Sequence, residues 1–354
     1  MNPPLRIALD VTPLVGPPTG IHQHTRHLAE ALARRPDVHL SGWLLSARGS
    51  QPDFPGPTRR APIPARLAAR TWRHSPWPTR RWLAGDADVV HGTNFLGPPH
   101  PTTVLTIQDL GPLRDPARVE PAVAAKAPAI RRAIDAGAWL HVSSALIGEE
   151  LAAETDSDRI RVVHHGLPEP VATTAGDGQR LVGHDRYVVT VGTTERRKRV
   201  DRVVEAVAHL GRDVALAVVG PPGNAENDLE AAIRHHGLEA RTVRLSAIDD
   251  AQRSAVVADA AALALASDYE GFGLTPLEAL RAGVPVAATA VGVLPELLGT
   301  TIDLARPDGT DFTDHLARAI DSTVEPALRA RLAAMTWTRH AEQMMDLYAA
   351  AATS

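Results

Sequence analysis

The sequence predicts an α/β protein of two domains, and three observations carry that prediction. A strand, glycine loop, helix order opens the chain and restarts after a polar, glycine-rich stretch near residues 173–186. Strands such as Ala261–Ala266 are continuous apolar runs without polar alternation, the pattern of strands buried on both faces of a parallel sheet. At 354 residues, the chain also exceeds what a single hydrophobic core supports. Composition agrees: 44% apolar and 22% charged residues are ordinary for a soluble globular protein. A net charge of -4 gives no global reason to expect nucleic acid as a partner. With no cysteine, disulfides and thiolate metal sites are excluded, which fits the cytoplasm. No apolar run approaches the roughly 20 residues needed to span a bilayer. Met1–Arg6 leads straight into a strand and does not resemble a secretory signal.

Taken in order, Leu5–Val11 reads as the first strand, and Gly16-Pro17-Pro18-Thr19-Gly20 as a loop. Leu28, Ala31 and Leu32 recur at helical spacing and predict a helix from Ile21 to Arg35. Gly20 at its entrance is either an ordinary turn residue or a place where backbone N–H groups and the helix dipole meet a phosphate. Val38–Leu45 is the next strand. The stretch from Arg59 to Leu83 is basic and aromatic, with Trp72, Trp77 and Trp82 among seven arginines. It reads as a surface helix pair with solvated arginines, as a contact with an anionic membrane surface, or as part of a ligand site. Pro76 and Pro78 interrupt any long amphipathic helix there. Ala87–His91 is a strand, and Asp86-Ala87-Asp88 just before it reads as a solvated turn on the wrong edge for a site. Thr103–Ile107 is a strand followed by Gln108-Asp109-Leu110-Gly111. Ala122–Ala136 reads as a helix, Trp139–Val142 as a strand, Ala145–Glu154 as a helix and Ile160–Gly166 as the last strand of the half. The stretch 173–186 is expected to link the domains.

In the second half, Tyr187–Val191 is a strand and Gly192–Arg199 its loop. Arg196, Arg197, Lys198 and Arg199 would repel one another there unless an anion is expected. A guanidinium fork and an ammonium point charge suit a diphosphate, and a solvated loop is the alternative. Val200–Leu210 is a helix, Val214–Val219 and Thr242–Leu245 are strands, and Ser246–Asp250 is the loop after them. Ala261–Ala266 then runs into Ser267–Gly273. Thr275 is expected to cap a helix with Pro276 at its first position and Gly283 at its end. Val284–Thr289 is the next strand and Trp337–Ala352 the terminal helix. Glu270-Gly271-Phe272-Gly273-Leu274 thus falls on a loop at the carboxyl edge of a parallel sheet, where open α/β sheets bind ligands. Thr275-x-x-Glu278 reads as a capping box. Capping does not explain Glu270 beside two glycines, a composition suited to close approach of backbone to a ligand.

The run Glu270-Gly-Phe-Gly-Leu-x-Pro-Leu-Glu278-Ala-Leu-x-x-Gly-x-Pro-Val resembles the Glu-x7-Glu signature of the retaining, nucleotide-sugar-dependent glycosyltransferases of family 4. The resemblance runs along nearly the whole chain and is strongest from Tyr187 to Glu296. It implies a GT-B fold: two Rossmann-like domains facing across a cleft that closes in transfer, bounded at 1–170 and 171–335, with a helix at 336–354 crossing back to the first. It implies that Arg197 and Lys198 bind the phosphates, that Glu278 takes ribose hydroxyls, and that Glu270 with the Phe272, Gly273 and Leu274 backbone holds the sugar. Ile248 would lie beside the base, and Gly20 would face the diphosphate. Asn94, Gln108 and Asp109 become the acceptor side, and the basic 59–83 stretch could help build it. Where many members have His-Asp-Leu, this chain has Gln108-Asp109-Leu110, and an amide cannot exchange a proton near neutral pH. Asp109 remains open to reading as a turn residue. The resemblance implies hexosyl transfer to a hydroxyl of a glycan or small molecule, with retention. No cofactor beyond the sugar nucleotide is implied, and no divalent metal is required where Arg and Lys neutralise the phosphates. The expected setting is the cytoplasm, with 59–83 as a candidate peripheral contact at the inner membrane face. Two alternatives stay open: a GT-B epimerase or phosphorylase, and a protein that binds sugar nucleotides with impaired catalysis.

Overall fold

The computed structural model describes residues 3–354 except 17–18, 48–50, 115–118, 120 and 300. Pro17 and Pro18 of the first glycine loop, and Met1-Asn2, therefore lie outside the described residues. The chain forms two units, one of Met1–Gly166 with Thr336–Ser354 and one of Leu167–Met335.

The first unit holds β1 (Leu5–Asp10), β2 (Val38–Leu45), β3 (Thr58–Ala61), β4 (Val89–Gly92), β5 (Thr103–Ile107), β6 (Trp139–Val142) and β7 (Ile160–Val162). They form one sheet in the order β3-β2-β1-β4-β5-β6-β7, with every pair parallel. The second unit holds β8 (Tyr187–Val191), β9 (Ala215–Val219), β10 (Thr242–Leu245), β11 (Ala262–Leu265) and β12 (Val286–Ala288). Their order is β10-β9-β8-β11-β12, again all parallel. Each sheet reverses its winding beside its first strand, at β1/β4 and at β8/β11. Loops leave the carboxyl ends of those strands there, the position at which doubly wound folds bind ligands.

Helices cover both faces of each sheet, which is why the strands lack polar alternation. Along β8, Tyr187 and Val189 join one core cluster while Val188 joins the cluster on the opposite face. In the first unit, Ile7 and Leu9 face one cluster and Ala8 the other. The helix Trp337–Ala352 carries Ala341, Met344, Tyr348 and Ala351 at helical spacing, all buried against Leu28 and Leu32 of the helix Gly20–Ala33. Thr336 caps it by accepting from Arg339 N at 3.2 Å. The chain thus returns to its first unit at its end.

Several expectations need correction. The stretch 173–186 is not a linker: Asp177–Val182 is a helix of the second unit with Val182 buried, and Asp259 accepts from Gly176 N and Gly178 N at 3.0 and 2.8 Å. The 122–136 segment is two helices, Pro121–Ala124 and Ala127–Asp135. The short edge strand β3 overlaps the start of 59–83, and its Arg59-Arg60 hid it; charge on an edge strand is a defence against stray pairing. Trp72 there is fully buried, whereas Trp77 and Trp82 are exposed. Asp88 is no solvated turn residue: it accepts from the Arg6 backbone N at 2.9 Å and from Arg6 Nη2 at 2.6 Å.

Candidate functional site

In the second unit, the loop after β8 and the loop after β11 meet at the switch point. Arg197 donates through Nε to Glu195 at 2.7 Å, and through Nη1 to Glu270 at 3.0 Å and to the Tyr269 carbonyl at 3.1 Å. Its own carbonyl accepts from Asp268 N at 2.7 Å. Ser267 Oγ donates to the other oxygen of Glu270 at 2.8 Å. Backbone and side chains thus lock the two loops together and aim the Glu270 carboxylate, which is only 13% exposed. Burial alone would raise its pKa. Arg197, Lys198 and the Ser267 hydroxyl outweigh that and hold it below the ordinary carboxylate value.

The four basic residues separate by role. Arg196 pairs with Asp228 at 3.3 Å; Arg199 pairs with Asp201 at 2.8 Å. The Lys198 ammonium makes no ion pair or hydrogen bond among the described residues, whereas its backbone N donates to the Glu195 carbonyl at 2.9 Å. Burial pushes its ammonium below the ordinary value, with Glu270 working against that. The ammonium lies where a Cβ on Gly192 would project, and Gly192 has φ +130. Glycine there gives the lysine its space and the loop its left-handed turn.

Leu274–Ala282 is the helix that follows, and its N-cap is Gly273 at φ 97 with no side-chain cap. The expected cap is therefore displaced: Thr275 and Pro276 sit inside the first turn, and no capping box forms. Glu278 instead accepts from Arg253 Nη1 at 2.9 Å. The Gly273 and Leu274 N–H groups stand at the open helix end, where orphan donors and the dipole favour negative charge or acceptor oxygens. Behind the loop, Gly292 packs against the Phe272 and Glu270 carbonyls, and Val293 N donates to Phe272 O at 3.0 Å. Phe272 is buried, and Ile248 packs onto the same core cluster.

In the first unit, the loops after β4 and β5 bring Asn94, Gln108 and Asp109 together. Gln108 Nε2 donates to the Thr93 carbonyl at 3.4 Å, and Asp109 accepts from Gly111 N at 2.8 Å. Lys126 donates to Asn94 Oδ1 at 3.1 Å and lies 5.2 Å from the centre of the Phe95 ring. Phe95 holds its place in a left-handed conformation, φ 67. Beneath them is Asp10, 3% exposed, whose carbonyl accepts from Thr93 Oγ1 at 2.8 Å. Burial pushes the Asp10 carboxyl up to about 6, against Thr12 and Lys126. Lys126 is itself lowered by burial, with Asp10 and Asp109 opposing. Gly20 begins the helix capped by Thr19, which accepts from His22 N at 3.3 Å, and the space around its Cα is open. Thr25, a turn further on, donates to Thr93 Oγ1 at 3.1 Å, tying this helix to the β4 loop. Asp10, Lys126, Ser267, Gly192 and Arg253 are site residues that no sequence signal singles out; of these only Ser267 and Gly192 lie on the loops of the sequence-predicted site.

The fold defines a class of proteins with two doubly wound units. Residues 177–335 match the family described as Glycosyl transferases group 1. An MMP alpha-(1->4)-mannosyltransferase of Mycolicibacterium hassiacum is 28% identical over 75% of this chain and 71% of its own length. The chain spans between 52 and 60% of the length of the D-inositol 3-phosphate glycosyltransferases it also matches. Sucrose-phosphate synthase from Thermosynechococcus elongatus superposes with TM-score 0.76 at 20% identity, covering 98% of both chains. Anabaena Alr3699/HepE in complex with UDP-glucose superposes with TM-score 0.70 at 16% identity over 97% of this chain and 98% of its own. The second unit is thus similar to group 1 glycosyltransferase domains, and the chain has the α/β GT-B fold.

Proposed function

We propose that the protein transfers a hexosyl group from a nucleotide-diphosphate sugar to a hydroxyl of a glycan or small molecule, with retention. One observation carries this reading: a half-buried Lys198 ammonium without an ion-pair partner among the described residues lies beside a locked Arg197–Glu270 pair on the switch-point loops of the second unit. Lys198 and the second guanidinium nitrogen of Arg197 receive the diphosphate. Their charge offsets the negative charge that grows on the leaving group as the glycosidic bond breaks. Glu270 accepts from sugar hydroxyls together with the Phe272–Leu274 backbone, and Glu278, oriented by Arg253, accepts from the ribose. Ile248 lies beside the base. The acceptor meets Asn94, Gln108 and Asp109. A departing phosphate oxygen takes the acceptor proton, so Gln108 in place of a base is tolerated. The cations do the work a divalent metal would otherwise do on the diphosphate. The UDP-glucose bound in the Anabaena structure supports a sugar nucleotide as donor.

The test uses release of UDP from UDP-glucose with water as acceptor, which needs no knowledge of the natural one. Glu270→Gln should leave UDP binding within about threefold and slow release by about 100-fold, the scale of losing one preorganised polar contact in the transition state. Release at the wild-type rate would remove Glu270 from the mechanism.

We also propose a peripheral contact of the first unit with anionic membrane. Leu67, Trp77 and Trp82 are 42, 44 and 41% exposed beside the exposed Arg66, Arg70, Arg73 and Arg81. Buried apolar area and attraction to anionic lipid both favour such a surface at the headgroups.

A further inference from the structure

Within the first unit lies a cluster of imidazoles that the proposed transfer does not use. His24 comes from the helix Gly20–Ala33, His165 from the segment after β7, and His340 from the first turn of the helix Trp337–Ala352. They are 1, 4 and 1% exposed. One ring nitrogen of each lies within 4.8 Å of the others.

The hydrogen bonds around the cluster sort its members. His91 is used up by Tyr348 Oη at 2.8 Å and Thr106 Oγ1 at 2.7 Å. His141 is used up by Thr106 Oγ1 at 2.9 Å and the Val163 carbonyl at 3.0 Å. His340 differs. Its Nδ1 donates to the His164 carbonyl at 2.8 Å, so the lone pair is on Nε2, and Nε2 has no hydrogen-bond partner. A backbone carbonyl fixing the tautomer of an imidazole whose other nitrogen stays available is the support that metal-bound histidines use. His24 has no hydrogen-bond partner on either ring nitrogen. Packing alone explains a ring in a core, but it leaves these buried polar atoms unsatisfied, which native interiors avoid. Burial keeps His24 and His165 well below the ordinary histidine value and His340 at about 3. The neutral ring is the ligating form.

We propose that His24, His165 and His340 form a buried site for a divalent transition-metal ion, zinc by its ligand chemistry, that fastens the C-terminal helix to the first unit. Three neutral imidazoles with Zn–N of about 2.0–2.1 Å leave a fourth tetrahedral position for water or hydroxide, and hydroxide there reduces the buried charge. His165 directly precedes the point where the chain leaves the unit, and His340 follows the point where it returns. The ion would therefore secure both chain ends of this unit, far from each other in sequence.

The tag-free full chain, stripped with chelator, is titrated with zinc and separately with cobalt(II). One equivalent of zinc should bind and raise Tm by mass action on the folded state, and cobalt should give the intense visible absorption of a tetrahedral site. His24→Phe and His340→Gln should each abolish the shift. A double substitution of the neighbouring His235 and His236 in the second unit should keep it. Zinc uptake that survives His24→Phe and His340→Gln, or that disappears with His235 and His236, overturns the site. Should those two variants fail to fold, the wild-type cobalt spectrum decides: absence of a tetrahedral signature overturns it.

Discussion

Lys198 stands where a cation is costly. It is partly buried, and its nearest carboxylates, Glu270 and Glu195, are already engaged by Arg197. An anion brought into the crevice relieves that cost, so binding and local electrostatics favour the same state. Asp10 presents the opposite case, a carboxyl that burial keeps protonated to higher pH. Its folded pKa lies above the unfolded one. The stability it gives is fully present below the unfolded value of 3.8 and is lost as pH rises through about 6. Asn at this position is neutral throughout. Asp10→Asn should therefore gain on wild type between pH 4 and 6, by roughly 2–3 kcal/mol at about 1.4 kcal/mol per pKa unit, and stay level above. Urea unfolding across that window measures it; a constant gap between the two proteins would contradict the raised carboxyl.

At the scale of elements, the difference between two helix starts is measurable. Thr336 accepts a backbone hydrogen bond as the cap of the terminal helix, whereas Thr275 caps nothing. Thr336→Ala should cost about 1 kcal/mol, and Thr275→Ala should stay within about 0.5 kcal/mol. Equal losses in denaturant titration would restore the capping box. This is also where sequence reading reached its limit. Periodicity and Gly283 marked where helices run and stop, because those signals are local. Val38–Leu45 and Trp337–Ala352 were read to the residue. The cap was misplaced because Thr-Pro is a good start signal, yet Gly273 in its left-handed conformation starts the helix two residues earlier. The charged edge strand β3 and the helix Asp177–Val182 in a glycine-rich stretch lacked an apolar pattern. Arg253 beside Glu278, and Lys126 near Asp10, join residues with no fixed spacing. Only tertiary structure brings them together. Arg197, Lys198 and Glu270 were legible because each lies on a strand-to-helix loop of recognisable composition.

At the largest scale, the two units share one plan, with the first strand between its neighbours and the winding reversing beside it. Among the described residues, no helix is long and apolar enough to cross a membrane. The exposed tryptophans and arginines near residues 66–82 predict cosedimentation with phosphatidylglycerol vesicles that salt weakens. Trp77→Ser with Trp82→Ser should reduce it several-fold. Equal pelleting with neutral phosphatidylcholine vesicles would contradict the proposed contact. Calorimetric titration with UDP-, GDP- and ADP-sugars probes the proposed donor site of the second unit. One donor should bind wild type, and Lys198→Ala should weaken it by about 10-fold or more, the loss of a charge-assisted contact, without lowering Tm. No binding by any of the donors, or equal affinity in Lys198→Ala, would contradict the account.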